Sequence, residues 1–325
     1  MTAQTIRISS RASMLAVIPQ LLSFEPQESF VAVFLRGHSV VVTMRIDLRD
    51  LAEADFLDRV AMVVEQTDAD SVVLVAYTDD ERDDLGVMLR GVQMDVEARM
   101  AVLQLHLEVV EAITVIGQTW RSLVTLEAGS MDEVRTDPVA VRGIFEGRRV
   151  ARSRQELAES VRPGSGPLPQ GFGAAFQQTM TEMAELADDE VVELVREHLD
   201  QWWAGRITTD GPTLGRVVAL ATHEAAAPPV LARLTSKSSK RWHELWTAAV
   251  RCSQGSAALL PLVASAVSAW AAGDGATMNV ATDHAADIDP DHVMVQLLRR
   301  ANDQCASPEL WDSFVDKLHE SDPAG

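Results

Sequence analysis

The sequence predicts an α/β (or α+β) N-terminal domain with a mixed sheet and a β-hairpin, followed by an all-α, bundle-like or repeat-like C-terminal domain. Three observations predict it. Short β-branched runs alternate with helical stretches as far as about residue 161. A Pro/Gly/Ser tract at 163–169 then breaks the pattern. Beyond about residue 171 only helical periodicity remains. The expected division is a layered domain at 1–162, a linker at 163–170 and a helical domain at 171–325. The chain's 325 residues also exceed the ~250–300 at which a single core stops growing.

Ile6–Ile8 reads as a short strand, after which Ser9 or Ser10 can cap a helix by accepting a first-turn N–H. That helix reaches about Phe24, with Met14, Leu15, Ile18, Leu21 and Leu22 on one face, and Pro19 predicts a kink or an early stop. Phe30–Leu35 and Val40–Ile46 are β-branched runs separated by Arg36-Gly37-His38-Ser39, a hairpin signature. Leu51–Gln66 reads as a helix burying Phe56, Val60, Val63 and Val64. Val72–Tyr77 is continuously apolar, as suits a central strand covered on both faces. A long helical pattern spans Leu85–Val110, weakened at its start by Gly86 and Gly91. Ile113–Ile116 is a strand, Pro138 opens a short helix to Phe145, and Ser153–Val161 is the next helix. Candidate helices then fall at 172–186, 188–204, 212–225, 227–235, 239–252, 256–272, 275–286, 291–304 and 308–319. The stretch from Trp270 to Pro290 partly resembles a tetratricopeptide unit, but no second copy follows at a fixed period.

Composition excludes several classes. Mean hydropathy is +0.02, and 47% hydrophobic residues describe an ordinary globular protein. The 48 acidic and 28 basic residues leave a formal charge of −20, which repels phosphate backbones and disfavours nucleic acid and anionic membranes. Cys252 and Cys305 are the only cysteines, too few for a four-cysteine zinc site or a disulfide framework. The opening MTAQTIRISSRASM lacks a basic region followed by an apolar run, and Ala257–Ala272 is short for a membrane span. A soluble cytoplasmic protein is expected.

The common chemical signatures are missing. There is no phosphate-binding G-x-x-x-x-G-K-[ST]; Gly211 to Gly215 has the wrong spacing and no lysine. His243-Glu244 and His223-Glu224 lack the second histidine one turn on, and Asp287-x-Asp289-x-Asp291 lacks the glycine and glutamate of a calcium loop. No metal, cofactor or catalytic residue is assigned. The strand ends offer Asp47, Tyr77 (the chain's one tyrosine), Asp79, Trp120 and Arg121 as ligand contacts, because ligands gather beyond strand carboxyl ends. Two basic islands offer anion or partner contacts: Arg148 and Arg149 among Arg142–Arg154, and Lys237, Lys240 and Arg241 after Arg233. Trp202 and Trp203, adjacent on a helix and diverging, are candidate partner anchors.

The stretch RISSRASMLAVIPQLLSFEPQESFVAVFLRGHSVVVTMRIDL, with the turn Leu21-Leu22-Ser23-Phe24-Glu25-Pro26-Gln27-Glu28-Ser29, resembles the start of the actinobacterial domain-of-unknown-function family 4192. VLVAYTDD, PVAVRGIFEGRRVARSRQELAESV and SAWAAGDGATMNVATDHAADIDPDHVMVQLL extend the resemblance over most of the chain. Family members often carry paired cysteines after a Trp-rich strand; here Leu123–Asp137 has none. The resemblance implies an actinobacterial or actinophage origin and brings no activity, substrate or cofactor.

The resulting expectation is a non-enzymatic interaction or regulatory module with a protein partner, self-association being left open. Small-ligand binding or catalysis at the strand ends is the alternative. It requires Asp47 and Asp79 to lie at one end of the sheet.

Overall fold

The computed structural model describes residues 10–51, 55–80, 84–145 and 149–321. The chain forms two compact units that divide between Arg154 and Gln155.

The first unit runs α1 (Arg11–Leu22), β1 (Ser29–Arg36), β2 (Ser39–Asp47), α2 (Asp55–Thr67), β3 (Ser71–Thr78), α3 (Leu85–Leu103), β4 (Glu108–Ile116), β5 (Thr119–Ser122), β6 (Ala128–Ser130), α4 (Met131–Thr136) and α5 (Pro138–Phe145). Its sheet has the order β2-β1-β3-β4-β5-β6. β3 and β4 are parallel and every other neighbouring pair is antiparallel. A parallel pair needs a long crossover, which α3 supplies. β3 is buried along its whole length, so helices cover both faces. Phe56 of α2 meets Phe30 edge-on at 5.2 Å on one face. Register places Glu111 on the other face, where Arg11 of α1 meets it at 2.5 Å.

Local chemistry accounts for most boundaries. Ser10 Oγ accepts the Ser13 N–H at 3.0 Å and starts α1. The helix continues one turn past Pro19 and stops at Leu22, where Ser23 turns left-handed. Leu15, Ile18 and Leu22 are buried, whereas Met14 and Leu21 are only partly covered. The strand read at Ile6–Ile8 lies outside the described residues. The helix read to Val110 instead ends at Leu103, and β4 begins at Glu108. Pairing of Glu108 with Ser71 and Val109 with Val72 decides this, since Glu-Val-Val serves either state until a neighbouring strand is present.

The second unit holds α6 (Arg154–Ser160), α7 (Phe172–Met183), α8 (Asp188–Trp203), α9 (Gly211–Leu220), α10 (Ala227–Leu231), α11 (Ser239–Cys252), α12 (Leu259–Ala271), α13 (Gly275–Ile288), α14 (Val293–Asp303) and α15 (Glu309–Ser321). α12 is its axis, buried on every side from Leu260 to Ala271. Alanines and serines there let neighbouring helices approach closely. Trp311 Nε1 donates to Leu234 O at 2.6 Å and Trp270 Nε1 to Ala306 O at 3.1 Å, so the buried indoles keep their hydrogen bonds. No described helix is long and apolar enough to cross a membrane. α12, with 13 residues, is about 20 Å long against a hydrocarbon core of ~30 Å. The Pro/Gly/Ser tract lies along the end of α11, with Gly164 N donating to Val250 O and Gly166 N to Arg251 O at 3.3 and 3.2 Å.

Candidate functional site

The carboxyl ends of β2, β3 and β4 share one end of the sheet with the start of β1. Asp47 and Asp79 therefore stand at the same end, separated by the Glu28–Ser29 entry into β1. Cross-strand partners point to the same side of a sheet. The pairs Asp47–Ser29, Ser29–Tyr77, Tyr77–Val115 and Val115–Trp120 thus form one row on one face. Arg121, the next residue of β5, points to the opposite face.

The row is closed by the protein's own groups. Asp47 Oδ1 receives Arg45 Nη2 at 2.6 Å, and Arg45 Nε donates to Ser29 Oγ at 2.9 Å. Thr78 Oγ1 and the Asp79 N–H both donate to Glu28 Oε1, at 2.8 and 2.9 Å. Glu28 thereby holds the turn after β3, a role the sequence did not signal; its left-handed backbone, φ 42°, marks a tight turn. Tyr77 and Trp120 are buried, and neither Oη nor Nε1 finds a hydrogen-bond partner among the described residues. Burial pushes the Tyr77 phenol far above its ordinary range. These two rings are packed within the layer, and Trp120 covers Gly129 so closely that a Cβ there would lie 2.7 Å from the indole.

Of the first basic island, Arg148 lies outside the described residues and Arg149 is exposed. The second island is divided. Arg233 pairs with Asp200 at 2.8 Å, and Ser236 N donates to Asp312 Oδ1 at 2.9 Å. Lys237 and Lys240 are exposed, and neither forms an ion pair among the described residues. Arg241 lies over two indoles, its guanidinium 4.9 Å from the Trp202 ring and 4.7 Å from the Trp203 ring. Its Nη2 also donates to Trp202 O at 3.1 Å.

Trp202 and Trp203 diverge from the end of α8, but Trp242 of α11 lies 5.0 Å from each ring. The three indoles and Arg241 form one cluster. Trp202 is its buried base, with Nε1 donating to Thr209 Oγ1 at 2.9 Å. Trp203 is its outer member, 40% exposed. His243, beside Trp242, faces Ser265 O at 3.3 Å, and burial holds its pKa below the ordinary value.

A cleft of about 460 Å³ opens between α7, α8 and α9. Gln178 and Thr179 of α7, Glu197 and Gln201 of α8, and Thr213 and Arg216 of α9 line it. Gln201 Nε2 donates to Glu197 Oε1 at 2.9 Å, and Arg216 pairs with Glu182 at 3.2 Å. His198 also lines it, 8% exposed, its Nε2 without a partner among the described residues. Burial, then the Arg216 charge, lowers its pKa to about 4, against an opposing hydrogen bond to the Thr213 backbone. The imidazole is therefore neutral at pH 7. Sequence reasoning missed this cleft, because His198 shares the apolar stripe of Val191, Val195, Leu199 and Trp202 and reads as core.

The lowered pKa has a measurable consequence. A histidine held neutral in the fold but free to protonate when unfolded adds stability that is complete above pH 6.5 and is lost as pH falls towards 4. Over that window the wild type is expected to lose about 2–3 kcal/mol more than His198→Gln. Urea unfolding at a series of pH values checks this; parallel curves would contradict it.

A family model described as a domain of unknown function (DUF4192) matches residues 12–309. No curated protein and no solved structure matches the chain.

Proposed function

Because the chain belongs to the family described as a domain of unknown function (DUF4192), whose description names no reaction, we propose from the geometry that it is a protein-interaction module, non-enzymatic and cytoplasmic, from an actinobacterium or one of its phages. Its helical unit offers the Trp203–Arg241 platform to an acidic segment of a partner. The observation behind this reading is the half-exposed Trp203, stacked on Trp242 at 5.0 Å and covered by Arg241. Trp and Arg are the side chains that most often dominate interface energetics, and a ring already held in place loses little entropy on docking. Lys237 and Lys240 are two further exposed cations within four residues of Arg241 in the sequence, and opposite charge on the partner fixes orientation. Cys252 and Cys305 form no disulfide with each other, in keeping with a reducing compartment.

Native mass spectrometry of tagged protein, purified gently from an actinobacterial host, tests the reading. A partner at fixed stoichiometry is expected with the wild type. It should be lost with Trp203→Ala and weakened by Lys237→Glu with Lys240→Glu, two exposed changes that leave the fold intact. A partner retained by all of these variants overturns the assignment.

A second reading, small-ligand binding, is favoured by the cleft between α7, α8 and α9. Its mixed lining of amides, Glu197, Arg216 and a neutral imidazole whose Nε2 has no partner among the described residues suits a small polar molecule. The strand ends favour it less, because Tyr77 and Trp120 are buried and Asp47 and Glu28 are already paired. A small molecule retained by the wild type and lost with Arg216→Ala would put this reading first.

A further inference from the structure

α3 has two apolar faces where a surface helix has one. Leu85, Leu89, Val96 and Met100 are buried. On the opposite side Val87, Gly91, Met94, Ala98 and Ala101 follow one another at alternating spacings of four and three residues, and all are exposed. Val87 and Met94 are 72% and 68% exposed, and Val102 beside them is 75% exposed. Such a spacing is that of a helix-pairing seam. The seam contains no charged residue between Val87 and Ala101; the charges lie on its flanks, with Arg90 and Glu97 on one and Asp95 on the other.

We propose that this face of α3 is the seam of a two-fold homodimer in which α3 packs antiparallel against α3 of a second copy. The inference is independent of the function proposed for the helical unit.

Three features select a second copy and this orientation. The first is size. Antiparallel packing about a two-fold axis between Gly91 and Met94 sets Met94 over the partner's Gly91 and Val87 over the partner's Ala98, large on small in these layers, each contact occurring twice, with Ala101 beyond them. Parallel packing sets Met94 on Met94 and Gly91 on Gly91, which leaves a gap in one layer and crowding in the next. The second is Gly91 itself. A glycine in an exposed helix interior costs about 1 kcal/mol relative to alanine, and a Cβ at this position would meet nothing within 4 Å. The isolated chain gives no reason for it, whereas a helix approaching closely does. The third is charge. Arg90 and Glu97 precede Gly91 and Ala98 on the same flank, so an antiparallel pair brings Arg90 of each copy beside Glu97 of the other. Neither forms an ion pair among the described residues: Arg90 makes a long contact to Leu123 O at 3.4 Å, and Glu97 accepts from Gln93 at 2.9 Å.

One helix pair buries less than the ~1,200–2,000 Å² of a standard stable interface, so a concentration-dependent dimer is expected. Sedimentation velocity on the full chain over a wide concentration series tests it. The wild type should shift from monomer to dimer. Met94→Glu should weaken association at least ~10-fold, the effect of 1.4 kcal/mol. Gly91→Ala should also weaken it while raising the melting temperature of the monomer, a pair of opposed effects that misfolding cannot produce. Arg90→Glu and Glu97→Arg should each weaken the dimer, and the double change should restore it. A monomer at every concentration overturns the proposal, as does a dimer indifferent to Met94→Glu. Failure of the double change to restore association overturns the antiparallel arrangement.

Discussion

Arg11→Met is expected to destabilise the first unit by about 3 kcal/mol, at the low end of the range for breaking a buried ion pair because Arg11 keeps some solvent contact. Glu111 is 4% exposed and lies on the α1-facing side of β4. Its carboxylate receives Arg11 Nε at 2.5 Å, Ser122 Oγ at 2.7 Å and the Ala112 N–H at 3.1 Å. Without the guanidinium, a charged carboxylate remains under a helix with two neutral donors. Arg11 also reaches Glu127 at 2.6 Å, and Ser13 Oγ donates to Asp137 at 2.9 Å, so one turn of α1 ties β4, the β5–β6 connection and the start of α5 together. The cost therefore measures an orphaned charge and not the worth of the pair. Arg11→Met combined with Glu111→Leu should recover most of the loss, because apolar groups can replace a buried pair at little cost. A chain of two units need not unfold in one step, so amide exchange along β3 and β4 is the suitable readout. Unchanged protection in Arg11→Met would refute the argument.

Gly215→Ala is expected to cost about 3 kcal/mol, at the top of the usual range for overpacking. α7 and α9 cross at this glycine. A Cβ there would lie 2.3 Å from Phe172 O, with Phe172 C and Phe176 N each at 3.1 Å. These are backbone atoms and cannot swing aside, so the helices must separate. Thr213 and Arg216 flank the position and line the cleft, which would distort with it. Gly173→Ala on α7 is the matched control. No atom lies within 4 Å of its Cβ, so alanine there should stabilise by about 0.5–1 kcal/mol by restricting the unfolded chain. Opposite signs in chemical denaturation are expected; two similar values would mean that the crossing tolerates a methyl group.

The two expectations divide at the level where sequence reading stops. Arg11, Ser10 and Ser13 stand in a stretch whose family resemblance was visible, but nothing in that stretch announced a glutamate a hundred residues away. The spacing of Gly211 and Gly215 ruled out a phosphate loop. It did not show that Gly215 marks a helix crossing.

Much of the architecture follows from local chemistry. Arg36-Gly37-His38-Ser39 between two β-branched runs is enough for the hairpin of β1 and β2. The unbroken apolar run at Val72–Tyr77 is enough for a strand buried on both sides. Phe56, Val60, Val63 and Val64 mark the covered face of α2, and all four are buried. The helical second half follows from period alone. In each case the signal lies within one turn or one strand, so neighbours along the chain suffice to produce it.

Only tertiary structure decided the rest. β5 and β6, of four and three residues, are too short to show a period and exist because β4 is there to pair with. The end of α3 and the start of β4 were settled by pairing with β3. Trp242 joins Trp202 and Trp203 from another helix, and His198 becomes part of a cleft only because α7 and α9 close beside α8. Tyr77 and Trp120 stand at strand ends that read as open in the sequence, and only the fold buries them. Periodicity states which face of an element is apolar. What covers that face depends on contacts between residues far apart in the chain, and on α3 one such face is still exposed.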